Sequence, residues 1–269
     1  FHRLAKIFGH IPNRLIELYR QSPVKHADET SWRNDGQSGH VWLFATDKIS
    51  LFLFRKTRSS SVPREVFGNK PLPGTLVVDR YNAYNKAPCA LQYCYSHLLR
   101  EVENIEKEFS EAAEVKTFVG VLAPLLATAM QLRCLPITDA QFYKQAAEVK
   151  DQIIEVVHAS AQHLAIRRIQ EIFHDHADRM YRWAEDRRIP ADNNLAERDL
   201  RPTVIARKVS FGSQSDAGAQ TRGILMTTLH TLKKQTNTDV ASAFKTSLDQ
   251  LAKDPSLDPY KLLFPNDTS

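Results

Sequence analysis

The order of apolar and polar positions predicts helices at both ends of the chain and strands in its first third. Leu4, Ile7, Phe8 and Ile11 recur at helical spacing, as do Leu15, Leu18 and Tyr19. Residues 1–22 therefore predict one or two short helices, punctuated by Pro12 and Pro23. From residue 24 the period shortens. Val24–Trp32, His40–Thr46 and Ile49–Phe54 read as three strands, because β-branched and aromatic runs are parted by turn residues. Those turns are Asn34-Asp35-Gly36 with Ser38-Gly39, and Asp47-Lys48. Residues 58–68 predict a short helix. Pro71, Pro73 and Gly74 then lead into Leu76–Asp79, a continuous apolar run such as a buried parallel strand shows. Residues 90–95 predict a fifth strand.

Beyond residue 98 the period is helical. Leu98, Val102, Ile105, Phe109 and Ala112 form one stripe. Phe142, Ala146, Val149, Ile153 and Val156 form another, and Ile166, Ile169, Phe173 and Met180 a third. Thr138 with Gln141 has capping-box spacing. After Glu197, Ile224, Leu225, Thr228, Leu229 and Leu232 mark one helix. Val240, Ala243, Phe244, Ser247, Leu248 and Leu251 mark the next, and Asp258-Pro259 starts a short last one. These stripes read as core faces, not cofactor boxes. A three-strand meander, a helix and a buried strand follow the order of an RNase H-like fold. The expected class is α/β, a mixed sheet with flanking helices. The interval from Asp79 to Glu197 is far longer than an uninterrupted fold of this kind needs, so an all-helical insertion is expected. The organisation read from the sequence is a helical connector (1–22), the first part of an RNase H-like domain (23–100), a helical insertion (101–188) and the second part of that domain with C-terminal helices (189–269).

A chain of 269 residues with 42% hydrophobic residues is long enough for one or two domains with a real core. The net charge of +5 and pI near 9.1 suit a polyanionic partner. From Arg198 to Lys234 seven basic residues stand against two acids, which concentrates that charge. Three cysteines do not make a disulfide framework and suit reduced thiols in a cytosol. No signal-peptide core is present. The most apolar run, Phe118–Leu132, contains Gly120 and Pro124 and reads as too short to span a bilayer, so no membrane partner is expected. The chain starts at Phe1 without an initiator Met, and an upstream part is expected.

Three carboxylates stand out by setting. Asp28 lies within the first predicted strand, Asp79 ends the buried run Thr75–Asp79, and Glu197 lies in Asp192-Asn193-Asn194-Leu195-Ala196-Glu197-Arg198 near a helix start. Two strand-borne aspartates and one helix-borne glutamate are the hard ligands expected of a two-metal phosphoryl-transfer site. Glu29 is the rival of Asp28, but strand alternation points it to the opposite face. Asn194 and Glu197 also fit a capping box, the structural alternative.

Five words occur in order: Asp28-Glu29-Thr30-Ser31-Trp32-Arg33, Val78-Asp79-Arg80-Tyr81-Asn82-Ala83-Tyr84, Cys94-Tyr95-Ser96-His97-Leu98-Leu99-Arg100, Asp192 to Pro202, and Gly212-Ser213-Gln214-Ser215-Asp216-Ala217-Gly218-Ala219. Together they resemble the DDE transposases of the insertion sequence 66 family, from about Val24 to the C-terminus. The resemblance implies a transposase catalytic region that cleaves and transfers DNA strands. Asp28, Asp79 and Glu197 would be the catalytic and metal-binding residues, holding two Mg²⁺ ions, with Mn²⁺ as substitute. Its partners would be element ends and target DNA, further copies of itself and other proteins of the same element. It would act in the prokaryotic cytoplasm, at the nucleoid. In the family the missing N-terminal part carries helix-turn-helix and zinc-binding features. An inactive or domesticated DNA-binding relative and an RNase H-like nuclease are the alternatives.

Asn193, Asn194, Arg198, Arg201, Arg207 and Lys208 are candidate DNA contacts around the glutamate. The arginines could instead pair with Asp192, Asp199 or Glu197. Cys94 and His97, with Cys89, make part of a zinc pattern, but a fourth ligand is not evident nearby, and a packed thiol and a satisfied histidine are the expected reading. His174, His176 and Asp178 allow a similar metal reading against a solvated helix face. Ser215–Ala219 could start a phosphate-binding helix or an ordinary capped one.

Overall fold

The computed structural model describes residues 1–236 and 239–265, so the last stretch read from the sequence, 189–269, lies partly outside the described residues. In chain order the elements are α1 (His2–Ile7), α2 (Ile11–Gln21), β1 (Val24–Asn34), β2 (Gln37–Ala45), β3 (Ser50–Arg55), α3 (Ser61–Phe67), β4 (Thr75–Val78) and β5 (Ala90–Tyr93). A single 3-10 turn, Asn82–Tyr84, separates the last two. Then come α4 (Tyr95–Glu108), α5 (Ala113–Leu132), α6 (Asp139–His158), α7 (Leu164–Asp175), α8 (Ala177–Met180) and α9 (Arg182–Glu185). The chain continues with α10 (Asn194–Ser210), α11 (Asp216–Gln235), α12 (Val240–Lys253) and α13 (Pro259–Leu263). The class is mixed α/β. Two compact units emerge: Phe1–Pro73 with Leu195–Ser269, and Gly74–Asn194. The helical stretch 101–188 lies inside the second, which begins earlier and also holds β4 and β5.

In the first unit β1, β2 and β3 form an antiparallel meander. Asp35 and Gly36 close the first hairpin with φ of 52° and 71°, a two-residue turn whose twist matches its strands. Because this turn is so tight, β2 starts at Gln37, and Ser38-Gly39 belong to the strand rather than to the expected turn. Residues opposite one another share a face, so Asp28, Thr30 and Trp32 lie on the side of Val41, Leu43, Phe52 and Phe54. This face packs under α10 and α11 through Ala196, Leu200 and Ala219. The other face carries Phe44, whose ring meets Tyr19 of α2 at 6.0 Å and Phe67 of α3 at 5.6 Å. The meander is thus covered on both sides.

α11 docks along the edge strand β3 by an unusual stripe. Thr231 Oγ1 accepts from the Ser50 N–H at 3.1 Å, and Thr227 Oγ1 accepts from the Phe52 N–H at 2.9 Å. One turn earlier is Gly223, where a Cβ would stand 2.9 Å from the Phe52 carbonyl oxygen. Residues 223, 227 and 231 recur every four positions and so share one helix face. The edge donors are satisfied by hydroxyls instead of another strand. Of the stripe read from the sequence, Thr228 and Leu232 are buried, but Ile224, Leu225 and Leu229 are not fully so. These last three are half-buried, while Gly223, Thr227, Thr228 and Thr231 are buried, because close approach to backbone requires small, hydrogen-bonding side chains.

In the second unit β4 and β5 are parallel, with Thr75 opposite Ala90 and Val78 opposite Tyr93. Buried Tyr95, at the start of α4, donates its hydroxyl to the Met180 carbonyl (2.7 Å) and accepts from the Trp183 indole (3.0 Å). Gln92 accepts from the Trp183 N–H at 3.0 Å. These bonds tie β5 and α4 to α8 and α9. Thr138 and Gln141 form the expected capping box of α6. α5 runs through Gly120 and Pro124 for 20 residues, and an 18-residue stretch of it has a mean hydropathy of 1.5, so by length and composition it could cross a membrane. The expectation of a run too short to span is corrected, because the helix begins five positions earlier, at Ala113. Val115, Val119, Leu122, Leu126 and Leu132 of α5 are buried among the unit's other helices.

Candidate active site

Asp28 sits mid-strand on β1, opposite Leu43, on the face covered by α10 and α11. Its carboxylate is half-buried, and Oδ1 accepts from the Glu29 N–H at 2.8 Å. Glu29 faces the other way. Its side chain is 1% exposed and ion-paired with Arg58 at 2.6 Å. That partner occupies the rival carboxylate and leaves Asp28 as the acid on the α10 side.

Glu197 lies in the first turn of α10, where the helix dipole favours a negative charge. Its neighbours Ala196 and Leu200 belong to the core cluster against the meander. Glu197 therefore flanks the buried stripe and is half-buried, on a helix that covers the same face that carries Asp28. The capping-box alternative does not survive. Asn194 is already the first helical residue, so Glu197 falls one position too late to be the reciprocal partner. The Asn194 N–H is instead met by Asp192 Oδ1 at 3.0 Å.

In the second unit Asp79 follows β4 directly, at the carboxyl ends of the parallel pair, where open α/β sheets place functional groups. It is half-buried, and Oδ1 accepts from the Tyr81 N–H at 3.0 Å, fixing the turn. Arg80 beside it is ion-paired with Glu101. Cys94 leaves β5 at the same end, donating its N–H to the Val78 carbonyl at 2.8 Å. The buried Cys94 sulfur accepts from the Asn193 N–H at 3.1 Å, and the Tyr95 N–H reaches the Ala191 carbonyl at 2.8 Å. The words of Asp79 and Cys94 thus meet the first residues of a third, Asp192 to Asn194, within one unit.

The other two meet in the first unit. Ser213 donates its N–H to the Arg33 carbonyl at 2.9 Å, and its carbonyl accepts from the Asp35 N–H at 2.7 Å. Its hydroxyl accepts from the Trp32 indole at 3.1 Å. With the words joined in this way, the match of a family model described as "Transposase IS66 family" over residues 1–221 has a structural basis. The chain belongs to the IS66 transposase family. A curated relative, "Uncharacterized protein y4jD" of Sinorhizobium fredii, is 21% identical over 252 residues, covering 82% of this chain and 49% of the relative. The chain spans about half the length of that relative.

The remaining expectations fare unevenly in this IS66 family chain. Asn193, read from the sequence as a DNA contact, is buried at 1% exposure, and its N–H donates to the Cys94 sulfur. Arg207 donates to Thr30 Oγ1 (3.1 Å) and the Ser31 carbonyl (2.7 Å), so it pins α10 to β1. Asn194, Arg198, Arg201 and Lys208 are exposed. Ser215 is an ordinary cap, accepting from the Gly218 N–H at 3.1 Å. Asp216 in that first turn, held below the usual carboxylate range by Lys56, disfavours a phosphate there. His174 bonds the Val157 carbonyl at 3.0 Å, and α7 ends at Asp175, so His174 and Asp178 do not share a helix. The metal reading of that cluster falls with the helix it assumed. Arg58 escaped the sequence reading because its partner is set by tertiary packing; strand alternation at Glu29 was the available signal.

Proposed function

We propose that this chain is the catalytic region of an insertion-sequence transposase that cleaves and joins DNA strands by metal-dependent phosphoryl transfer at Asp28, Asp79 and Glu197. The observation that carries this reading is the sorting of neighbouring acids on β1. Arg58 holds Glu29 on one face, while Asp28 stays half-buried on the face that α10, the helix of Glu197, covers. Family membership supplies the class of reaction. The three carboxylates, on a strand, a strand end and a helix, are hard oxygen donors of the kind that suit divalent ions such as Mg²⁺ or Mn²⁺. A bound ion pair would lower the pKa of the attacking hydroxyl and neutralise charge on the leaving oxygen. The protein's part is to hold the carboxylates: Asp28 by its strand, Asp79 by the Tyr81 turn, and Glu197 by the packed start of α10.

In this reading the meander, α3, β4 and β5 make an RNase H-like domain, and residues 101–188 are its helical insertion. The substrate is DNA, element end and target, and the active form is a multimer on paired ends in the cytoplasm, with other proteins of the element contributing. The test is Mn²⁺-dependent strand transfer of a labelled element end. Asp79→Asn and Glu197→Gln keep side-chain shape and should abolish cleavage while DNA binding persists. Near-normal cleavage by either variant places the chemistry elsewhere. Binding without cleavage by the unmutated chain marks an inactive relative.

A further inference from the structure

We propose that Phe211 is a fixed aromatic wedge that stacks on an unpaired base of the DNA, at the end of a cationic stripe on α10; this rests on the DNA-acting reading above. Phe211 follows α10 with φ of 59°, in the left-handed region. Its N–H bonds the Arg207 carbonyl at 3.0 Å, so it occupies the helix-ending position where glycine is usual. Asp35, in the hairpin turn, is the other non-glycine residue at positive φ among the described residues. A bulky residue in this conformation is strained, and such strain persists only where surrounding structure imposes it.

Here the surroundings do impose it. Gly212 follows at φ 139°, and a Cβ there would stand 2.1 Å from the Arg33 carbonyl oxygen. Ser213 is then clamped to β1 by the two backbone bonds and the Trp32 bond already described. The turn therefore cannot fold Phe211 back onto the core, and 77% of the residue is exposed. Its ring contributes little to stability where it stands. Glycine would suit the backbone better, so the aromatic side chain calls for another explanation.

Charge identifies the occupant. Arg198, Arg201, Ile205 and Lys208 recur on the outer face of α10, and all four are exposed. Among the described residues no ion pair involves Arg198, Arg201 or Lys208. The acid on this stretch, Asp199, turns inward to Lys234 at 2.5 Å and Ser50 at 2.6 Å. An apolar protein face would leave these cations uncompensated, whereas a phosphate backbone matches them. A cationic track ending in an exposed aromatic ring is how proteins engage unpaired nucleic acid.

The test compares binding of the full chain to a paired duplex and to the same duplex carrying one unpaired base. The unmutated chain should prefer the second. Phe211→Ala should lower affinity for it by roughly 5- to 150-fold and bring the ratio between the two duplexes near one. Phe211→Trp should keep the preference, and its added emission should be quenched on binding. The native Trp32, Trp42 and Trp183 are buried and provide a constant background. An unaltered ratio in Phe211→Ala, or unquenched added emission in Phe211→Trp, overturns the wedge alone. Failure of the unmutated chain to bind either duplex overturns the DNA reading as well.

Discussion

Glu29 and Arg58 are joined at 2.6 Å on the face of β1 opposite Asp28, with the Glu29 side chain 1% exposed. Two adjacent acids on one strand therefore face opposite sides of the sheet, and only Glu29 is held by Arg58. Asp28→Asn should remove metal-dependent cleavage and leave the urea midpoint nearly unchanged. Glu29→Gln should lower stability by about 1.5–3 kcal/mol, as loss of a charged hydrogen bond does, and retain cleavage below its melting point. The reverse pattern would exchange the two assignments.

The basic residues of α10 divide in the same manner. Arg201 and Lys208 are exposed, whereas Arg207 bonds Thr30 and Ser31. Replacing Arg201 and Lys208 with Ala should reduce the salt slope of duplex binding by roughly 0.9 for each phosphate no longer neutralised. Their effect on stability should stay within about 0.5 kcal/mol. Arg207→Ala should instead destabilise by about 1–2 kcal/mol, because its hydrogen bonds to β1 disappear. An unchanged slope in the double variant would mean a solvated face, and the DNA path would then be sought on residues 101–188.

The docking of α11 on β3 predicts costs at residues that look dispensable. Thr227→Val keeps volume and removes the acceptor of the Phe52 N–H, leaving a buried donor unsatisfied at about 1–3 kcal/mol. Thr227→Ser should recover most of that. Gly223→Ala must displace the Phe52 carbonyl and should cost about 1–3 kcal/mol. Equilibrium denaturation measures all three; a Thr227→Val midpoint equal to that of the unmutated chain refutes the bond's importance.

His230 gives stability a pH dependence. Its ring lies edge-on to Phe52 at 4.8 Å. Burial holds its pKa below the ordinary 6.5; Asp199 opposes the shift, and Lys233 and Lys234 reinforce it. The unfolded chain takes up the proton as pH falls below about 6.5, while the folded chain does not. Stability is therefore full above that pH and is lost as pH falls towards the folded value. His40, lowered by its own burial and by Arg58, acts with the same sign. His230→Gln should flatten the thermal midpoint between about pH 7 and about pH 5. An equally steep profile in that variant assigns the dependence to other groups.

Much of the local architecture was legible along the chain. The three strands of the meander, their Asp35-Gly36 hairpin and the opposite facing of Asp28 and Glu29 follow from a period of two and a turn that tolerates positive φ. The capping box at Thr138 and Gln141 was readable for the same reason, since both partners lie within one helical turn. The similar-looking pair Asn194 and Glu197, the alternative reading, forms no such box, because α10 starts one residue earlier than the box requires. The α11 stripe located its helix and the buried Thr228 and Leu232 but not Gly223, Thr227 and Thr231, since apolar periodicity marks burial against side chains, not against a strand's backbone.

The sequence by itself determined which face of β1 each acid takes, because backbone alternation is a local property that needs no partner. Only the tertiary structure decided that Arg58 holds Glu29, that Asn193 secures Cys94, that Arg207 grips β1 and that Phe211 is held outward. Each of these depends on groups far apart in the chain, such as Trp32 and Ser213, which are 181 positions apart, and no local pattern encodes which distant group will arrive.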